Sequence, residues 1–148
     1  MDIEKDILAL ELQEKESKYG GVYAKYLLIN SIYDREVKKG IVQHIQNAGY
    51  KNIAIYGAGV LGKALFDALK STFKHITIID QNVSTKLDFE EATLQQPGLI
   101  VDSAIDCVIV TPIHAYRQIA KNLSDHGYGN IISLTDLVML TGEELQLL

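Results

Sequence analysis

Two different hydrophobic rhythms divide the chain. Ile3, Ile7, Leu8 and Leu12 recur on one helical face between charged positions and predict an amphipathic helix over residues 3–16. After Gly20 and Gly21, the segment 22–33 predicts a second helix, with Tyr23, Tyr26, Leu27, Ile29 and Tyr33 spread over more than one face. Val37, Ile41, Ile45 and Ala48 keep a helical spacing behind Asp34, which is suited to capping a helix start, and Gly49 is suited to ending it. From residue 52 the rhythm changes. Short runs of apolar and β-branched residues at 52–56, 75–79, 105–110 and 131–134 predict strands. Between them, 60–69 turns Leu61, Leu65, Ala68 and Leu69 to one side, and 115–126 does the same with Tyr116, Ile119, Ala120 and Leu123 before Gly127. Residues 89–96 predict a short helix stopped by Pro97 and Gly98, while 99–103 reads ambiguously as a strand. Thr141, followed three residues later by Glu144, predicts a capping box that opens a short final helix.

Strands alternating with helices at this spacing predict an α/β fold with a parallel sheet flanked by helices, because parallel neighbours need a crossover between them. The expected division is a helical extension over 1–50, packed on the domain or at an interface, and the α/β domain over 51–148. One domain of this size buries an ordinary core without metal or disulfide support.

The chemistry is concentrated at Gly57, Ala58, Gly59, Val60, Leu61 and Gly62. This GxGxxG stretch follows a predicted strand and opens a predicted helix, the context in which the pattern cradles a phosphate. Gly57 and Gly59 allow a sharp turn and a close backbone approach, and Gly62 lets the helix lie against the sheet. Unpaired N–H groups at the helix start then face the ligand's negative charge. Asp80, eighteen residues beyond Gly62 and just past the second strand, is placed to accept hydrogen bonds from ribose hydroxyls; its charge opposes a 2′-phosphate, which favours NAD over NADP. Gln81 follows it. Thr111, Pro112 and His114, after the central strand at 105–110, are expected at the same carboxyl edge, with Pro112 as a rigid wall and His114 as a group able to relay a proton.

Composition narrows the classes. The 148 residues carry a formal net charge of -5, which argues against tracking a nucleic-acid backbone. The opening residues are too acidic for a signal peptide and no apolar run approaches membrane-spanning length, so a soluble, cytoplasmic protein is expected. The single cysteine, Cys107, sits in an apolar run and reads as core. His44, His75, His114 and His126 have no metal-ligand spacing.

The stretches IAIYGAGVLGKAL, ITIIDQN and CVIVTPIHAYRQIAKNL resemble Rossmann-like nucleotide-binding domains of two groups. One is the NAD(P)-binding domain of sugar and inositol dehydrogenases; the other is the YGAG-type domain attached to bacterial sugar-modifying enzymes, including acyltransferases and methyltransferases. The likeness spans about residues 52–134. It implies a nucleotide site at Gly57, Gly59, Gly62 and Asp80, with Thr111, Pro112 and His114 matching the later loop, and a link to sugar metabolism. It implies no catalytic residue within 52–134, because the dehydrogenases carry theirs on a separate substrate domain, which these 148 residues are not expected to include. The expected function is binding of a small nucleotide-containing ligand, NAD or a nucleotide-sugar, by a homo-oligomer. The alternatives are an NAD-dependent oxidoreductase completed by a partner or dimer, an S-adenosylmethionine binder, and a module that binds nothing and serves as scaffold.

Overall fold

The computed structural model describes residues 22–80, 92–95 and 104–146. In chain order these form α1 (Val22–Tyr33), α2 (Arg35–Asn47), β1 (Asn52–Tyr56), α3 (Val60–Leu69), β2 (His75–Ile79), β3 (Thr93–Gln95), β4 (Cys107–Val110), α4 (Tyr116–Asp125), β5 (Ile131–Ser133) and α5 (Leu134–Gln146). The five strands make one parallel sheet in the order β3-β2-β1-β4-β5. Order and direction together are those of a Rossmann-like α/β fold, here preceded by the helices α1 and α2.

The sheet is covered on both faces, so its central strands are apolar almost throughout: β2 is buried from Ile76 to Ile79 and β4 along its whole length. Successive side chains still alternate between faces. Ile53, Ile55, Ile76, Ile78, Cys107 and Ile109 join the larger core cluster with Leu65 and Leu69 of α3, Ile41 and Ile45 of α2, Leu28 and Ile32 of α1, and Leu134 and Leu137 of α5. Ala54, Ile79, Val108 and Val110 point the other way, against Leu123 of α4 and Tyr128. Of the residues expected to bury along α4, Leu123 is buried, whereas Tyr116, Ile119 and Ala120 are half-buried.

Helix ends follow their capping residues. Asp34 Oδ1 accepts from the N–H groups of Glu36 and Val37, at 2.9 and 3.2 Å, and starts α2. Beyond α2, Gly49 N–H donates to Gln46 O and Tyr50 N–H to Ile45 O, a Schellman turn that leads into β1. A carboxylate fixes the strand's first residues: Asp106 Oδ2 accepts from the N–H of Lys51 at 2.8 Å and of Asn52 at 2.9 Å.

Two expected elements differ. The described part of the short helix expected over 89–96 is strand, since Thr93–Gln95 pairs in parallel with Thr77–Ile79 at the sheet edge. The final helix starts at Leu134 rather than near Thr141, which lies inside it; Ser133 Oγ accepts from Asp136 N–H at 3.0 Å and is the N-terminal cap. The helix expected over 3–16 and the ambiguous segment 99–103 lie outside the described residues.

Candidate functional site

At the carboxyl end of β1 the chain turns at Gly57, whose φ of 104° is a conformation that L side chains rarely adopt. A Cβ there would run into Thr111 Oγ1 and lie 3.1 Å from Pro112 Cδ, so the loop after β4 closes over this glycine. The parallel register of β1 and β4, with Tyr56 opposite Val110, brings the two loops together. Tyr56 O fastens them: it accepts from Thr111 N–H at 3.0 Å and from the Thr111 hydroxyl at 2.8 Å. Gly62 has a separate reason. A Cβ at this position would overlap the Gly57 carbonyl group, so the first turn of α3 can lie on the loop only if residue 62 has no side chain.

Gly59 differs from both. It is the N-cap of α3, with φ −81° and ψ −160°, and a Cβ built on it meets nothing within 4 Å. No side chain of this residue caps the helix, so the N–H groups of the first turn keep their electrostatic pull at the mouth of the site. Ala58 and Leu61 are 5% and 3% exposed and anchor the turn in the core, while Val60 is 64% exposed.

Asp80 reaches the turn from β2. Its Oδ2 accepts from Ala58 N–H at 2.8 Å, and Gly57 N–H donates to Ile79 O at 2.8 Å, so the end of β2 is stitched to the glycine loop twice. The carboxylate's charge is felt by the neighbouring phenol: burial, and secondarily Asp80, push the Tyr56 pKa upward from its ordinary value. The geometry thus gathers residues 57–62, Asp80, Thr111 and Pro112 at one end of the sheet, at the point where the strand order reverses direction. His114 stands exposed in the turn leading to α4. Gln81 lies outside the described residues.

A cleft of about 280 Å³ adjoins this edge and was not anticipated from the pattern of residues. Among the described residues it is lined by Tyr56, Ile79, Gln95, Asn122, Leu123, His126 and Tyr128. Tyr56 and Ile79 immediately precede Gly57 and Asp80, so the cleft and the glycine turn share a wall. Its signal in the sequence was faint: Gly127 marks a helix end, but nothing local says that the next residue, Tyr128, returns to the sheet. No group of three His, Cys, Asp or Glu side chains suited to a metal ion occurs among the described residues, and no helix among them is long and apolar enough to cross a membrane.

The chain has no match among protein-family models, curated proteins or solved structures. The likeness to a Rossmann-like fold therefore rests on sheet order, strand direction and flanking helices, and is a likeness of architecture rather than to any particular dehydrogenase family.

Proposed function

We propose that the chain binds a small nucleotide-containing ligand, with the diphosphate over the 57–62 turn and the ribose beside Asp80. The observation that carries this reading is the contrast among the three glycines. Gly57 and Gly62 are required by their own neighbours, whereas the direction in which Gly59 would carry a side chain is open and lies at the N-terminus of α3. A phosphate placed there would meet backbone N–H groups and the positive end of the helix. Asp80 supports NAD over NADP, since a second negative charge next to its carboxylate is unfavourable. A nucleotide-sugar satisfies the same diphosphate and ribose contacts, and this ligand would tie the protein to sugar metabolism.

The reading includes self-association assisted by the amino-terminal helices, where Tyr33 at the end of α1 is 70% exposed and its ring can bury area while its hydroxyl stays hydrogen-bonded. Sedimentation over a range of concentrations should show a species heavier than one 16.4 kDa chain; a strictly monomeric protein removes this part of the reading.

Calorimetric titration of the wild-type chain and of Gly59→Val with NAD, NADP, ADP and UDP-glucose tests the site. The expected result is binding of at least one of these to the wild type and its loss in a folded Gly59→Val protein. Equal binding by both proteins would place the ligand elsewhere.

A further inference from the structure

The cleft under α4 has a chemistry of its own. A Schellman turn at the end of α4, in which Gly127 N–H donates to Ser124 O and Tyr128 N–H to Leu123 O, directs Tyr128 back to the sheet, where it is only 8% exposed. Its hydroxyl accepts a 3.0 Å hydrogen bond from Gln95 Nε2 at the far edge strand. With one Nε2 hydrogen given to Tyr128, the Gln95 amide keeps its side-chain Oε1 as an acceptor and its second N–H as a donor for a ligand, and the Tyr128 O–H is a donor beside them. On the rim, His126 Nδ1 lies 2.6 Å from Asn122 O. A carbonyl oxygen only accepts, so Nδ1 carries the proton and, in the neutral ring, Nε2 is an acceptor. Ile79 and Leu123 supply the apolar wall.

The lining thus offers donors and acceptors in similar number and, among the described residues, no lysine or arginine. Such a lining suits an uncharged, flat ring with a hydrogen-bonding edge and is wrong for a phosphate, which calls for cationic or backbone N–H donors. Position selects which ring. The cleft opens beside Tyr56 and Ile79, on the Asp80 side of the glycine turn, and extends to β3. A diphosphate on the turn and a ribose at Asp80 leave the group attached to that ribose, the nucleobase, directed toward it.

We propose that this cleft is the base-selecting part of the site, in which Gln95, held by Tyr128, reads the hydrogen-bonding edge of a nucleobase packed between Tyr56, Ile79 and Leu123. The inference rests on the nucleotide-binding reading above and adds to it a prediction of selectivity. A lining of fixed donors and acceptors discriminates between bases, because the wrong base leaves a buried polar group unpaired.

The test compares four probes, inorganic pyrophosphate, ADP, UDP and UDP-glucose, on the wild type, Gln95→Leu and Tyr128→Phe, with folding of each variant checked by thermal unfolding. In the wild type, ADP and UDP should differ in affinity by about tenfold or more, the scale of one or two hydrogen bonds. Gln95→Leu should abolish that difference, and Tyr128→Phe should reduce it, while pyrophosphate binding stays the same in all three proteins. Folded variants that retain the wild-type preference would overturn the base-selecting role and leave the phosphate cradle standing. An effect seen with UDP-glucose but not with UDP would assign the cleft to the sugar and likewise overturn it. A wild type that binds none of the four probes would bring down the cradle and the cleft together.

Discussion

Asp80 and Ala58, twenty-two residues apart, are joined by a 2.8 Å hydrogen bond from the Ala58 N–H to the Asp80 carboxylate. The residue read as the ribose ligand is thus also a support of the loop expected to hold the phosphates, and the two roles can be separated by substitution. Asp80→Asn keeps an acceptor for Ala58 but loses the charge. Ligand affinity should fall by about 1.5–3 kcal/mol, the worth of hydrogen bonds to a charged group, and discrimination against a 2′-phosphate should weaken. Asp80→Ala also strands the Ala58 N–H, at a further cost of about 1–3 kcal/mol in stability. The Tyr56 phenol reports the charge independently: its pKa should drop in Asp80→Asn yet stay above that of a free tyrosine, because burial is the larger cause of its elevation. Calorimetry with NAD and NADP, together with carbon-13 tyrosine spectra across alkaline pH, measures both effects. Unchanged affinity for both cofactors would remove Asp80 from the site.

The glycines should divide into two classes under substitution. Gly62→Ala forces a Cβ into the Gly57 carbonyl group, a backbone obstacle that cannot swing aside, so α3 must shift off the loop. A loss of about 1–3 kcal/mol or more is expected, in line with overpacking elsewhere. Gly59→Ala meets open space at a φ that alanine adopts readily, so its unfolding midpoint should move little. Urea unfolding of the two variants decides the matter. Equal destabilisation would mean that Gly59 has a structural duty like the other two.

Residues 52–80 were readable because local and tertiary signals agree there. Apolar β-branched runs are buried on both faces, and the glycine turn lies between a strand and a helix whose inward residues Leu61, Leu65, Ala68 and Leu69 are all buried. The failures have physical causes. Thr93–Gln95 is an edge strand of three residues, exposed at Thr93 and Leu94, so burial imposes no alternating pattern on it, and the downstream Pro97 and Gly98 fit a helix stop as well as a strand exit. The Thr141 to Glu144 spacing resembles a capping box, but the chain had already entered the helix at Leu134, where leaving β5 buries Leu134 and Leu137. The cleft was invisible because its walls come from three strand ends and a helix end, and only the tertiary fold brings Gln95 within reach of Tyr128.

Ser133 offers a direct check on the start of α5. Its hydroxyl accepts from Asp136 N–H, and Asp136 adds a negative charge to the first turn. Ser133→Ala should cost about 1 kcal/mol, within the usual range for losing a cap, whereas Thr141→Ala in the helix interior should be neutral or slightly stabilising. Thermal unfolding of the pair distinguishes the two positions. A larger loss at Thr141 would restore the later helix start.

Cys107 should be chemically silent. It is 3% exposed on β4, and burial, with a smaller contribution from Asp106, pushes its thiol pKa up to about 11. The thiolate is the reactive form, so at neutral pH the native protein should be alkylated far more slowly than a free cysteine. Labelling with iodoacetamide in buffer and in denaturant should show near-complete protection in the first and rapid reaction in the second. Rapid labelling of the native chain would mean that β4 opens locally or that the thiol faces a reachable channel.

Asp106 makes stability depend on acid in a predictable direction. The two backbone N–H donors, Asn52 first and then Lys51, hold its carboxyl below the usual aspartate value, assisted by the Lys51 charge and opposed by slight burial. A folded-state pKa lower than the unfolded one contributes stability that is fully present above the unfolded value, about 3.9, and is lost as pH falls through the folded value. The group is close to solvent, so the effect is screened and modest. Asp106→Asn retains an acceptor for both N–H groups but has no carboxylate to protonate. The wild type should therefore be the more stable protein at pH 7, and the gap in urea midpoint should close progressively below pH 4. A gap that is constant between pH 7 and pH 3 would show that the carboxylate's charge contributes nothing to holding the start of β1.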